Sequence, residues 1–170
     1  PVLKEKISNV LAGMGYFEIM NNSITNSAFL TEEESATAVR MMNNLSAELD
    51  SLRVSMLETG LQTVLHNLNR KNNNLRLFEF GKTYSTEGVG RYTEVEHLAL
   101  FVTGRTREEN WHNKKESSDI YYLKGVLQSL MTQLGVGELV FESSGHSRLD
   151  EHLQLRSGNT VVADIGKVNK

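Results

Sequence analysis

The segment from Glu48 to Asn69 constrains this chain more than any other, because Leu49, Leu52, Met56, Leu57, Leu61, Val64, Leu65 and Leu68 recur at three- and four-residue steps. Such spacing predicts one long amphipathic helix with Ser46 as its N-cap. Lys71-Asn72-Asn73-Asn74 breaks the period, and Leu75, Leu77 and the run Phe78 to Tyr84 resume it as a strand. Helix, tight loop and strand therefore follow in order. On the polar side of the helix, Asp50 and Arg53 stand at an i, i+3 spacing and, with Glu58, read as surface charges that pair.

The rest of the chain is punctuated in the same way. Leu3, Ile7, Val10, Leu11 and Met14 share one helical face, Gly13 and Gly15 supply a stop, and Tyr16 to Met20 leans toward a strand. Residues 21 to 38 read as a polar loop with one helical turn, in which Glu32-Glu33-Glu34 is a solvated charge run. A short strand is expected at Val39 to Met42. Gly88-Val89-Gly90-Arg91 reads as a hairpin loop, and Glu94 to Thr103 as a strand apolar on both faces, which suits a sheet centre and makes His97 a core histidine. A second amphipathic helix spans Tyr121 to Leu134 and ends at Gly135 and Gly137. Short strands follow at Leu139 to Glu142, His152 to Leu155 and Thr160 to Ile165, the last two joined by Ser157-Gly158-Asn159. Several strands are joined too closely for parallel crossovers. The expected fold is α+β, an antiparallel sheet flanked by long helices in a single domain over residues 1–170.

At 170 residues and 39% hydrophobic, the chain is long enough to bury roughly 68–70% of its unfolded surface. Eighteen basic against 21 acidic residues give a net charge of −3, so no global field favours nucleic acid or an anionic membrane. There is no cysteine, which excludes disulfides and thiolate chemistry. No stretch approaches the ~20 apolar residues of a membrane span, and the start lacks the apolar core of a signal peptide. A cytoplasmic protein is expected. The absence of an initiator Met and the strand-like ending suggest a piece of a longer polypeptide.

None of the five histidines forms an HExxH or HxH spacing, so no metal site is expected. G-x-S-x-G, P-loop and dinucleotide-binding glycine motifs are absent. Arg105, Arg107, Lys114 and Lys115 surround Trp111, as cations and aromatics interleave in single-strand RNA binders, but Glu108, Glu109 and Glu116 dilute them. A solvated loop is the first reading and RNA contact the alternative.

Asn44-Leu45-Ser46 leads through ELDSLRVSMLETGLQTVLHNLNR into LRLFEFGKTY, and Gly104 to Trp111 precedes DIYYLKG. The first stretch resembles the N-P-L-S, L-R-x-S-L-L, N-x-x-R and L-F-E-x-G positions in the β chain of bacterial phenylalanyl-tRNA synthetase. The second is similar to that family's G, W and D-F-[YF]-x-L-K-G positions. Together they place Arg53, Asn69, Arg70, Phe78, Glu79, Gly81, Lys124 and Gly125 on family positions. The sequence departs from the pattern at Asn44 and at Glu58-Thr59, where the family often has proline, which loosens two turns.

The resemblance implies a catalytic-like module with the class II synthetase fold, a degenerate copy of the α chain's catalytic domain. It implies an α chain as partner in an (αβ)₂ heterotetramer, tRNA(Phe) bound by the whole complex, and ATP with Mg for the whole enzyme, none of it in this piece. Active class II ligases place an arginine after an aromatic on a sheet strand, with an acid two residues on, to hold the ATP α-phosphate. The comparable position here is Ser85, between Tyr84 and Glu87. A hydroxyl cannot replace a bidentate cation, so no catalytic residue is expected. Leu49, Leu52, Met56, Leu61 and Leu65 become core or subunit-interface positions, and Arg53, Asn69 and Arg70 tie the helix to neighbouring backbone. The alternative is an independent nucleotide-binding enzyme with Arg53, Glu79 and Lys82 lining a pocket.

Overall fold

The computed structural model describes residues 2–44, 46, 48–106, 117–137 and 139–169. Contacts divide the chain into two compact units, Pro1–Phe101 and Val102–Lys170. The first contains α1 (Val2–Gly13), β1 (Phe17–Glu18), β2 (Ile24–Thr25), α2 (Glu32–Thr37), β3 (Ser51–Leu52), α3 (Leu57–Leu68), β4 (Leu75–Gly88) and most of β5 (Arg91–Thr103). The second contains α4 (Ile120–Leu134), β6 (Val140–Ser143), β7 (Leu149–Ser157) and β8 (Thr160–Val168).

In the first unit α1 turns Ile7 and Leu11 inward and gives way at Gly15, whose φ of 83° is open to glycine. The chain then enters β1, which pairs with β4 in parallel, Phe17 opposite Leu77 and Glu18 opposite Phe78. This pair departs from the expected purely antiparallel sheet. The long intervening stretch, α3 included, supplies the crossover that a parallel pair needs. β4 and β5 form the expected hairpin, with Gly88 and Gly90 at positive φ in its turn.

The long helix predicted from Glu48 is shorter and begins at Leu57. Residues before it are committed to strand pairing: Ile24 faces Leu52, Thr25 faces Ser51, and Arg40 bridges to Ser51. Ser46 is therefore no N-cap; it bridges to Leu49, while the Ser55 hydroxyl accepts from the Leu57 amide at 2.9 Å. Leu49 and Leu52 are half-buried outside the helix. Asp50 and Arg53 are no surface pair either: Asp50 accepts from the Ser27 amide and hydroxyl and pairs with Arg40, and Arg53 is buried. The strand expected at Val39 to Met42 reduces to the Arg40 bridge and its neighbouring backbone bonds.

Residues 21 to 38 carry more structure than a loop. Thr31 and Glu34 form a capping box that starts α2, so the acidic run lies in the helix's first turn, where the macrodipole favours it. β5 sits at the edge of the β1-β4-β5 sheet, not its centre, and Arg91 to His97 are exposed. His97 is accordingly not a core histidine; its Nε2 lies 2.8 Å from the Thr83 hydroxyl. Among the described residues one core cluster is Val64, Leu75, Leu77 and Phe101, with Ile19, Leu57 and Ala99 packed on it.

The second unit follows its sequence signals closely. Asp119 caps α4 by accepting from the Tyr122 amide at 2.8 Å, and Gly135 ends the helix in the left-handed conformation. Antiparallel β6, β7 and β8 form one sheet in chain order, with Gly158 at φ 57° in the last turn. Val126, Leu127, Leu130, Leu155 and Ile165 are buried within it.

Candidate functional site

The residues that could do chemistry in the first unit converge beneath β4. Arg53 follows β3 directly, where its amide donates to the Ser23 carbonyl and its carbonyl accepts from the Tyr84 amide, so its backbone is held on both sides. The side chain runs across the sheet. Nη1 lies 2.9 Å from Oε1 of Glu79, and Nε donates to the Lys82 carbonyl at 2.9 Å. Nη1 also donates to the Thr59 hydroxyl at 3.3 Å.

Glu79 is equally well satisfied. Asn21, just after β1, donates from its backbone amide to Oε1 at 3.2 Å and from its side-chain nitrogen to Oε2 at 2.7 Å, while the Thr63 hydroxyl donates to the Asn21 side-chain oxygen Oδ1 at 2.6 Å. Arg53 and Glu79 are 2% and 1% exposed, so the pair is a closed network in a low-dielectric setting. A Cβ on Gly81 would fall 2.0 Å from Nη2 of Arg53 and 2.4 Å from Cε of Met56. Glycine is what lets the guanidinium cross the strand.

This geometry gives the predicted pocket residues a different part. Arg53 and Glu79 are consumed by each other, and Lys82 pairs with Glu94 on the hairpin, a bond that raises the lysine's pKa. None of the three lines the cleft of about 430 Å³ beside the network. That cleft is bounded by Asn21, Ile24, Phe29, Glu48, Leu49 and Gln62 among others, and among the described residues its lining contains no Lys, Arg or His. Such a surface offers a triphosphate no counter-charge.

Ser85 is half-buried on β4, and Glu87 is exposed near the hairpin turn. The neighbouring Thr86 hydroxyl is held by the Gly88 amide and the Arg91 carbonyl. Asn69 and Arg70 close α3: the Asn69 amide donates to the Leu65 carbonyl at 3.0 Å, and Arg70 Nη1 to the His66 carbonyl at 3.2 Å, where a cation suits the helix C-terminus. Phe78 is buried edge-on to Phe80, and Lys124 lies 4.6 Å above the Phe141 ring. Among the described residues nothing lies within 4 Å of a Cβ placed on Gly125. Met56 is buried, Leu61 half-buried and Leu65 57% exposed. Arg105 bridges to Ser117, while Arg107, Lys114 and Lys115 lie outside the described residues.

Asn21, Thr63 and Gly60 carry no functional signal in the sequence, and Thr59 is marked there only as a departure from the family pattern. A Cβ on Gly60 would stand 1.9 Å from the Phe101 ring, so this mid-helix glycine marks a close approach of helix to sheet. Its position in an otherwise apolar helical period was the available signal. Among the described residues no group of three or more His, Cys, Asp or Glu could hold a metal. No helix among them is long and apolar enough to cross a membrane.

A family model described as phenylalanyl tRNA synthetase beta chain CLM domain matches residues 2–170. The chain belongs to this family. Among the relatives of this CLM domain is the phenylalanine–tRNA ligase beta subunit of Bacteroides thetaiotaomicron, 35% identical over an alignment of 145 positions that covers 79% of this chain and 18% of that protein. The beta subunit of Geobacter metallireducens is 27% identical over an alignment of 180 positions that covers 98% of this chain and 22% of that one. The chain thus spans about a fifth of the length of these relatives. A pyrrolysyl-tRNA synthetase of Desulfitobacterium hafniense superposes with a TM-score of 0.67 at 21% identity, over 95% of this chain and 54% of the other. That likeness shows the fold: the CLM domain is built like part of a synthetase.

Proposed function

We propose that this CLM domain is a non-catalytic scaffold within the beta chain of a phenylalanine–tRNA ligase. It is one catalytic-like domain of a longer polypeptide that packs against an α subunit in an (αβ)₂ heterotetramer. The whole enzyme would act in the cytoplasm, taking ATP with Mg, phenylalanine and tRNA(Phe), with the chemistry on the α chain. The observation that carries this reading is the Arg53–Glu79 lock under Gly81: the guanidinium that a nucleotide-binding reading would offer to a phosphate is buried and spent on structure. Ser85 at the position of the phosphate-binding arginine supports it further.

A scaffold needs a surface to offer. Leu65 and Leu68 on α3 are 57% and 37% exposed, and Val2, Leu3 and Phe17 on α1 and β1 are 79%, 60% and 71% exposed. These apolar side chains are the positions we assign to subunit contact. Calorimetric titration of the chain with ATP and with phenylalanine, beside co-purification with an α chain and mapping of protected amides, tests the reading. We expect no saturable small-molecule binding and protection at α1 or α3; saturable ATP binding would overturn it.

A further inference from the structure

The cleft beside the Arg53–Glu79 network lies wholly in the first unit, and its volume of about 430 Å³ falls within the range of ligand sites, roughly 300–1,000 Å³. Its polar groups are only partly spent. Asn22 accepts from the Ile24 amide at 3.1 Å and Asn26 from the Ala28 amide at 2.8 Å, each through Oδ1, so both side-chain nitrogens keep their donors. Thr25 is 5% exposed, and no described residue engages its hydroxyl. Gln62 on α3 and Glu48 are exposed, with no hydrogen bond or ion pair among the described residues.

A strand edge borders the same cleft. The Thr25 carbonyl accepts from the Asp50 amide and the Ser23 carbonyl from that of Arg53, while Leu52, opposite Ile24, gives its amide to Val39 on the other side of β3. Alternate residues of an antiparallel pair turn their backbone groups to opposite edges, so Ile24 presents its own away from β3. Asn22 takes the Ile24 amide and leaves the carbonyl.

The charge in this lining is negative. Glu79 is neutralised by Arg53 and Asp50 by Arg40, whereas Glu48 has no counter-ion among the described residues. A phosphate or a free carboxylate would meet Glu48 with no cation to receive it, which disfavours RNA as well as nucleotides. Carboxamides and hydroxyls both donate and accept, as peptide groups do, and Phe29, Ile24 and Leu49 add an apolar wall.

We propose that the cleft docks an extended segment of a partner polypeptide, with a lysine or arginine against Glu48 and a neighbouring apolar side chain against Phe29. Its backbone bonds to the Ile24 carbonyl and to the side-chain amides of Asn22 and Asn26, an added strand in miniature. The proposal does not rest on the scaffold reading, whose contacts are the exposed apolar side chains of α1, β1 and α3.

Nitrogen–proton correlation spectra of the 170-residue chain, titrated with the end-capped peptides acetyl-Ala-Lys-Leu-Ala-amide and acetyl-Ala-Leu-Lys-Ala-amide, test the site. One of the two should saturate with a Kd of about 1 mM or below, shifting the side-chain amides of Asn22, Asn26 and Gln62. The same peptide with glutamate in place of lysine should bind about tenfold more weakly, and Glu48→Lys should reverse that order. Because Glu48 is exposed, the substitution leaves the fold in place, which circular dichroism checks. No saturation by either lysine peptide up to about 10 mM, equal binding of the lysine and glutamate peptides, or an unchanged order in Glu48→Lys would overturn the site. An oligouridylate that saturates these signals where the peptides do not would overturn it in favour of RNA.

Discussion

Arg53 and Glu79 meet at 2.9 Å beside Gly81, each shielded from solvent and each with further hydrogen bonds to backbone or side chains. Removing one partner leaves an uncompensated buried charge, which costs about 3–5 kcal/mol. Arg53→Met and Glu79→Leu should each lower the urea midpoint sharply, whereas the double variant should recover most of the loss. Equal destabilisation by the double variant and the sum of the singles would show that the two side chains are not coupled.

Gly60 should tolerate no side chain while Phe101 keeps its place. Gly60→Ala brings a methyl into the Phe101 ring and should destabilise by about 1–3 kcal/mol despite alanine's better helix propensity. Combining it with Phe101→Leu should cost less than the two changes separately, as read from thermal unfolding.

His97 gives the fold a dependence on pH. Much of the residue is exposed, yet the partial burial of its ring, and then the Arg53 charge, hold its pKa below the ordinary histidine value. The unfolded chain therefore binds the proton more readily. The neutral ring's contribution is complete above about pH 6.5 and is lost as pH falls through the lower folded value. Urea midpoints at pH 7.5, 6 and 5 should decline, and less steeply in His97→Gln. Asp50 acts in a separate, more acid window: Ser27's hydroxyl and amide lower its pKa, so its contribution persists until pH falls below the ordinary carboxylate range of about 4.

Leu65 separates folding from assembly. Because it is 57% exposed, Leu65→Glu should leave the unfolding free energy within about 0.5 kcal/mol of the parent while weakening capture of an α subunit. Unchanged co-purification would move the interface off this part of α3.

Elements with local signals could be read directly. α1 and α4 show a clean apolar period with glycine stops, and the β4–β5 and β7–β8 hairpins carry glycine turns at the expected places. Residues 48 to 53 could not, because Leu49 and Leu52 happen to continue the helical period of α3. Their true partners, Ser23 to Thr25 and Val39 to Met41, are distant in sequence. The family pattern marked Arg53, Glu79 and Gly81, but only the fold joins them. A buried glutamate between two phenylalanines announces a need for donors without naming Asn21, which meets it from the far side of the chain.

The parallel contact of Phe17 with Leu77 bears on the order in which the molecule assembles. A two-residue strand has almost no stability of its own, and its partner emerges from the chain only after β2, α2, β3 and α3. The hairpin of β4 and β5 can close at once, whereas joining β1 to it demands a large loop closure before any bond is gained. The amino-terminal helix and strand should therefore dock late in refolding. In native-state amide exchange the Ile19 amide, which donates to Phe78 at 2.8 Å, should open before the hairpin does.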